Sequence, residues 1–196
     1  PYQRAEEGDD TVEVDVDRLE TALSAHERME DIIEDALTLA REGKAITETE
    51  RVSLEAVAER AWTTVETGDA TLEVVADAEF GADWDRLLTV FENLVRNAVE
   101  HGSDGEGLTV RVGPLETGGF YVEDDGTGLP PDSHEEIFEH GHTTNPDGTG
   151  LGRAIVRDIV KGHGWEIDAT GSAGGGARFE VSDVSIHSVN QFAPQL

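Results

Sequence analysis

Asn93-Leu-Val-Arg-Asn97-Ala-Val-Glu-His101 is the stretch that decides the fold of this 196-residue chain. Three shorter blocks follow it in a fixed order: Asp124-Asp-Gly126-Thr-Gly128, Ile137-Phe138-Glu139 and Gly148-Thr-Gly150-Leu-Gly152. Each block alone is a weak signal, because similar short runs occur in unrelated proteins. The ordered set is specific, and it indicates polar and glycine-rich segments that a folded chain brings to one site.

The first block lies on a helix that we predict from Trp84 to about His101, with Asp83 as its N-cap. Its apolar stripe consists of Leu87, Leu88, Phe91, Leu94, Val95 and Ala98. Asn93, Asn97 and His101 are spaced by four residues and share another side of the helix. Amide oxygens suit Mg²⁺, which proteins hold with few groups plus phosphates and waters. The asparagines therefore predict a metal held against a triphosphate, with a merely solvated helix face as the alternative.

The second block directly follows a strand that we predict from Phe120 to Glu123. The carboxylate of Asp124 can accept a hydrogen bond from the exocyclic amine of adenine. Gly126 and Gly128 let the backbone approach the ring and turn sharply. The alternative is an ordinary acidic turn, in a sequence rich in aspartate.

The last block opens a helix predicted from about Gly150 to Lys161. Its backbone amides and the helix N-terminus form an anion site, to which Thr149 adds a hydroxyl. The run matches neither the P-loop nor the Rossmann fingerprint, and a plain tight turn is the alternative. The long connection 131–147 before it predicts a lid over the nucleotide, with Phe138 as an apolar anchor.

The remaining pattern mixes helices and strands without strict alternation. We predict an edge strand within 47–54, a helix capped by Ser53 that runs to about Trp62, strands at 72–76 and 108–112, and a final hairpin of 165–169 and 177–181. This mixture favours an α+β fold with a mixed sheet under helices.

Together the four blocks resemble the ATP-binding domain of sensor histidine kinases, a GHKL-type domain shared with gyrase, Hsp90 and MutL. The resemblance covers about 47–184 and implies a two-layer sandwich of a mixed β-sheet and helices (the Bergerat-type fold) that binds ATP and Mg²⁺. By position, Asn97 would be the metal ligand with Asn93 as its helper, and Asp124 would bind adenine. The nucleotide contacts implied in addition are His101, Gly126, Gly128, Thr144, Gly148, Thr149, Gly150, Leu151 and Gly152.

A long helical pattern precedes this unit, from Asp15 to Arg41. Its stripe is formed by Leu19, Leu23, His26, Met29, Ile33, Ala36, Leu37 and Ala40. Such a stripe is typical of a coiled-coil or bundle seam. The resemblance implies the second helix of a dimerisation hairpin and hence a homodimer. We therefore divide the chain into a dimerisation segment 1–46, the ATP-binding domain 47–184 and a tail 185–196.

Three features depart from the family's pattern. We find no phosphoacceptor box, because no proline follows His26-Glu27-Arg28 and His26 falls on the helix seam. Glu100 occupies a position that is often basic in the family. Arg153 replaces a common apolar residue after Gly152, and we predict that it supplies the missing positive charge.

Composition excludes several classes of function. The chain has 43 acidic and 14 basic residues and a formal net charge of -29, which predicts a protein adapted to a salty, halophilic cytoplasm. Disorder is the weaker reading because apolar periodicity runs through most of the chain. Nucleic-acid binding is disfavoured because the chain lacks clusters of Lys and Arg. There is no cysteine, and we find no membrane segment or signal peptide, so we predict a cytoplasmic location.

The resemblance implies ATP-dependent phosphorylation of a histidine and relay to the aspartate of a response-regulator receiver domain. The catalytic residue stays unassigned, since the phosphoacceptor histidine is not recognised in this chain. An anti-sigma-type serine kinase is one alternative, although that group usually has a glutamate where Asn93 stands. A non-catalytic nucleotide-sensing scaffold is the other.

Overall fold

The computed structural model describes residues 23, 25, 26, 29, 33, 46, 48–102, 107–129, 136–138, 151–184 and 186–187. From position 48 onward, the described residues include three helices: α1 (Leu54–Thr64), α2 (Trp84–Gly102) and α3 (Gly152–Gly162). The strands are β1 (Glu50–Ser53), β2 (Thr71–Val74), β3 (Glu79–Ala82), β4 (Thr109–Pro114), β5 (Phe120–Asp124), β6 (Glu166–Gly171), β7 (Ala177–Ser182) and β8 (Ile186–His187). A short 3-10 helix spans Glu136–Phe138.

Five strands form the main sheet in the order β2-β4-β5-β7-β6. β2 runs parallel to β4, whereas the other neighbours pair antiparallel, so the sheet is mixed. The predicted α+β class is confirmed. The register sets Val110 of β4 opposite Asp124 of β5. This pairing determines the position of Asp124 at the C-terminal end of β5.

A second sheet of three antiparallel strands has the order β1-β3-β8. β1 is an edge strand, as the sequence predicts. β3 corresponds to no predicted strand. β8 lies in the segment predicted as a tail, yet it pairs with β3 through Phe80 opposite Ile186.

Two predicted helix caps are confirmed. Ser53 Oγ accepts a hydrogen bond from the N–H of Ala56 at 3.1 Å at the start of α1. Asp83 Oδ1 accepts one from the N–H of Arg86 at 3.2 Å at the start of α2. Each cap satisfies a backbone donor that the first turn of a helix leaves without an intrahelical partner.

An aromatic cluster joins the helices to the sheet. Phe120 of β5 stacks on Phe80 at 5.5 Å and on Phe91 at 5.2 Å, while the Trp165 ring meets it edge-on at 6.4 Å. Such ring pairs stabilise a core beyond the area that they bury. Because Phe91 and its apolar neighbours face the sheet, the asparagine side of α2 is turned toward α3 and the end of β5.

The described residues before position 46 are few. Leu23, Met29 and Ile33 are helical and exposed, at 60%, 54% and 59% of their surfaces. His26, also helical, is exposed as well. The rest of the predicted helix lies outside the described residues. Within the described ranges, no helix is both long enough and apolar enough to cross a membrane.

Candidate nucleotide site

A cavity of about 230 Å³ lies between the C-terminal half of α2, the end of β5 and the start of α3. Its walls are formed by Asn97, Ala98, Gly102, Asp124, Thr127, Gly128, Leu129, Arg153, Ala177 and Phe179. Asn97, Asp124 and Gly128, which come from two separate sequence blocks, therefore meet at one cavity.

Asp124 is the only charged side chain that is buried among the described residues, with 5% of its surface exposed. Its Oδ1 accepts hydrogen bonds from the N–H of Gly126 at 2.9 Å and from the N–H of Ala177 at 3.1 Å. Ser172 Oγ donates to the backbone carbonyl of Asp124 at 2.6 Å. In the part of the chain that the structure describes, both bonds to the carboxylate fall on Oδ1, and Asp124 lines the cavity.

Burial raises the pKa of Asp124 above its usual value, because the ionised carboxylate loses water. The bonds from Gly126 and Ala177 oppose this change. Asp125, the next residue, behaves in the opposite way: the N–H of Thr109 donates to its Oδ1 at 2.7 Å and lowers its pKa. A shifted carboxylate at a cavity wall is typical of a functional site, and Asp124 alone of the two lines the cavity.

Glycines permit three close approaches around Asp124. A Cβ on Gly126 would overlap the backbone of Gly102 at the end of α2. Gly128 has φ of 77°, and a Cβ there would lie 2.6 Å from the carbonyl oxygen of Gly175. A Cβ on Gly176 would run into the carboxylate of Asp124. The loop after β5 is thus packed directly between α2 and the β6–β7 hairpin.

Asn93 and Gly152 are in contact where α3 begins. A Cβ on Gly152 would lie 2.5 Å from Asn93 Oδ1, so a side chain there would require the Asn93 amide to move. Asn93 Nδ2 donates to the carbonyl of Thr89 at 2.8 Å, which directs Oδ1 toward α3. Asn97, one turn further along, lies at the cavity wall. The two amides therefore point to the N-terminus of α3 and to the cavity, respectively.

Arg153 also lines the cavity, from the first turn of α3. Its side chain is half-buried, and this burial lowers its pKa, whereas the carboxylate of Glu100 raises it. The positions that the sequence singled out as departures from the family are therefore electrostatically coupled across α2 and α3.

Phe138 and Ile137 are buried in the short 3-10 helix. The Phe138 ring meets Phe179 of β7 edge-on at 6.2 Å, next to the cavity. Phe138 is therefore packed against the sheet, whereas most of the predicted lid 131–147 lies outside the described residues. Of the other predicted site residues, Leu151 precedes α3 as its N-cap and His101 lies in the last turn of α2. Thr144, Gly148, Thr149 and Gly150 lie outside the described residues.

Sequence reasoning missed several residues of the wall. Gly102, Ala177 and Phe179 line the cavity but carry no reactive group that would mark them in a sequence. Gly176 belongs to a glycine-rich turn that we read as a simple hairpin connection. Only the approach of this turn to Asp124 in space gives it a role.

Comparisons with known proteins agree with this geometry. Residues 82–185 match the family described as histidine kinase-, DNA gyrase B-, and HSP90-like ATPase. The sensor histidine kinase ZraS of Escherichia coli O157:H7 is 40% identical over 106 residues, which are 53% of this chain and 23% of that protein. This chain thus spans less than a quarter of that relative.

The solved structures that are similar in fold include MprB and ShkA. The mycobacterial sensor histidine kinase MprB has a TM-score of 0.58 at 25% identity, covering 68% of this chain and 95% of that chain. Full-length ShkA in complex with AMPPNP has a TM-score of 0.66 at 28% identity, covering 87% of this chain and 39% of that chain. Because the family match spans more than half of the sequence, the chain belongs to the histidine kinase-, DNA gyrase B-, and HSP90-like ATPase family.

Proposed function

We propose that this chain is the ATP-binding part of a sensor histidine kinase, which phosphorylates a histidine and passes the phosphoryl group to a response-regulator aspartate. The observation that carries the proposal is Asp124, a buried carboxylate at a cavity wall whose Oδ1 is held by two backbone donors. Its Oδ2 is suited to accept the exocyclic amine of adenine. Similarity to named sensor histidine kinases supports the choice of reaction.

The donor set fits a magnesium nucleotide. Asn97 lines the cavity and Asn93 Oδ1 lies at the start of α3, so hard amide oxygens are present on the α2 side. Within the described ranges there is no cluster of three His, Asp or Glu side chains that would hold a metal alone. Mg²⁺ bound here would also use phosphate oxygens and waters, because it usually retains such ligands in proteins. When bound, it would neutralise charge on the phosphates during phosphoryl transfer.

The kinase reaction needs a phosphoacceptor histidine that is not recognised in this chain, whereas the N-terminal segment would supply part of the dimerisation hairpin. The exposed apolar residues Leu23, Met29 and Ile33 fit a helix that buries this stripe against a second copy, as part of a dimerisation hairpin. The similarity to ShkA supports this, since it covers 87% of the chain, more than 47–184 alone. We retain the division into 1–46, 47–184 and 185–196. The acid excess supports a halophilic host, and dependence on ATP and a response regulator supports the cytoplasm.

Nucleotide binding by the full chain tests the site. In Asp124→Asn the side-chain oxygen keeps both backbone bonds, but the new NH₂ faces the amine of adenine. Loss of this acceptor should weaken Mg-ATP binding at least about 10-fold in calorimetric titration. Asp125→Asn is the matched control: its bond from Thr109 survives and it lies outside the cavity wall, so ATP affinity should stay unchanged. Equal affinities in the two variants would contradict the assignment.

Phosphotransfer in trans tests the reaction. The chain would be mixed with ATP and a separate helical hairpin carrying a phosphoacceptor histidine from a related kinase. Acid-labile phosphate on that histidine supports a kinase. A chain that binds ATP yet transfers nothing would favour the nucleotide-sensing scaffold, and acid-stable phosphoserine on an offered anti-sigma antagonist would favour the serine kinase.

A further inference from the structure

Arg153 occupies a position that two physical effects make unfavourable for a cation. It lies in the first turn of α3, where the helix macrodipole repels positive charge. Burial beside the cavity also lowers the pKa of its guanidinium. A charged group kept at a cavity wall against both effects is typical of a binding site.

Glu100 offsets part of this cost. Its carboxylate, on α2, favours the charged form of Arg153. Glu100 is exposed, however, and its attraction is screened by water and salt. Glu100 therefore compensates the charge of Arg153 only in part.

The cavity needs a local positive charge if it is to hold a polyphosphate. The chain carries 43 acidic against 14 basic residues, so its overall field repels anions. Among the described residues that line the cavity, Arg153 alone is positively charged. A guanidinium also donates two parallel hydrogen bonds to phosphate oxygens, which a single ammonium does not.

We propose that Arg153 binds the phosphate tail of the nucleotide. This inference rests on the proposed adenine nucleotide site, in which it gives two residues separate roles. Asp124 recognises the base, whereas Arg153 distinguishes ATP from adenosine by charge.

Affinities for ATP and for adenosine, measured on the same variants at constant KCl, test this division. In Arg153→Leu, ATP should bind about 10- to 100-fold more weakly, which is the effect of one charged hydrogen-bonding group. Adenosine, followed by NMR titration, should bind within about 2-fold of wild type, because it has no phosphate.

Arg157→Leu is the matched control, with the same substitution one turn later in α3 and outside the cavity wall. It should leave both affinities unchanged. The inference is overturned if Arg153→Leu binds ATP like wild type, or if it loses ATP and adenosine by the same factor. A wild-type chain that binds neither ligand would instead contradict the proposed function itself.

Discussion

The N–H of Ala177 donates to Oδ1 of Asp124 at 3.1 Å and thereby ties the start of β7 to the end of β5. The two residues are 53 positions apart in the sequence. The glycine-rich β6–β7 turn brings this N–H to the carboxylate, where a side chain at Gly176 would not fit. The hairpin therefore orients the group that we assign to adenine.

Replacing Asp124 by Asn should weaken nucleotide binding without lowering the free energy of unfolding at neutral pH. Burial raises the pKa of Asp124 above 3.8, so the folded chain binds more protons at this site than the unfolded chain. The ionised carboxylate then lowers the stability of the wild type progressively as the pH rises above 3.8 through the folded pKa. Asn keeps the Oδ1 acceptor without the buried charge, so Asp124→Asn should be at least as stable as wild type at neutral pH.

Urea unfolding at about pH 5 and about pH 8 measures this difference. The stability advantage of Asp124→Asn should be no smaller at the higher pH. A variant that is much less stable than wild type at neutral pH would mean that the charge itself holds the fold, contrary to this assignment.

Gly126→Ala should disturb both the fold and the site. The new Cβ would overlap the backbone of Gly102, and neither backbone segment can move without shifting the end of α2 that carries Asn97. Overpacking of this kind costs about 1–3 kcal/mol. Gly171→Ala is the control, since nothing lies within 4 Å of its Cβ and its φ is not positive. It should change the free energy of unfolding by less than about 0.5 kcal/mol. Equal urea midpoints for the two variants would contradict the packing described.

The sequence predicted most of the fold because most elements carry their own signal. α2 has an apolar stripe and a capping aspartate, and the β6–β7 hairpin has alternating strands around a glycine turn. β3 has neither: Glu79-Phe-Gly-Ala82 is four residues long with a glycine inside. Its conformation is set by pairing with β1 and β8 on both sides, which are contacts distant in sequence.

The residues of the candidate site were likewise predicted only in part. Asn97, Asp124 and Gly128 were predicted to act together, because their side chains or backbone freedom suggest a chemistry. The roles of Gly102 and Ala177 could not be predicted, since each contributes only a backbone atom at a point where two elements meet. Arg153 was predicted only to supply the positive charge missing at Glu100, whereas the influence of Glu100 on the pKa of Arg153 depends on the packing of α2 against α3.

Salt should stabilise the folded chain if its acid excess is an adaptation. With a formal net charge of -29, repulsion within the folded state is large at low ionic strength. Raising KCl from about 0.1 M to about 1 M shortens the Debye length from ~10 Å to ~3 Å. A gain of about 2 kcal/mol would raise Tm by about 4–8 °C in calorimetry. Glucose at matched osmolality is the control, and a Tm that rises no more in KCl than in glucose would argue against halophilic adaptation.

His163 should make stability depend on pH below neutrality. Its Nε2 accepts a hydrogen bond from the N–H of Asp83 at 3.1 Å, so we assign the ring proton to Nδ1, which donates to the carbonyl of Ile159 at 2.9 Å. The ring also stacks on Trp165 at 4.3 Å. His163 in its neutral form thus joins the end of α3 to the start of α2, the two helices that border the cavity.

Burial lowers the pKa of His163 below 6.5. As the pH falls below 6.5, the histidine therefore becomes protonated in the unfolded chain before it does so in the folded chain. Stability should therefore fall as the pH drops from about 7.5 to about 5.5, a range over which an unperturbed histidine becomes charged. His163→Gln retains an acceptor for the N–H of Asp83 but cannot ionise, so its stability should be lower at neutral pH and should decline less on acidification. Urea unfolding across this range measures both slopes. Parallel slopes for wild type and variant, or an NMR spectrum with the proton on Nε2 at neutral pH, would contradict the neutral bridge between the helices.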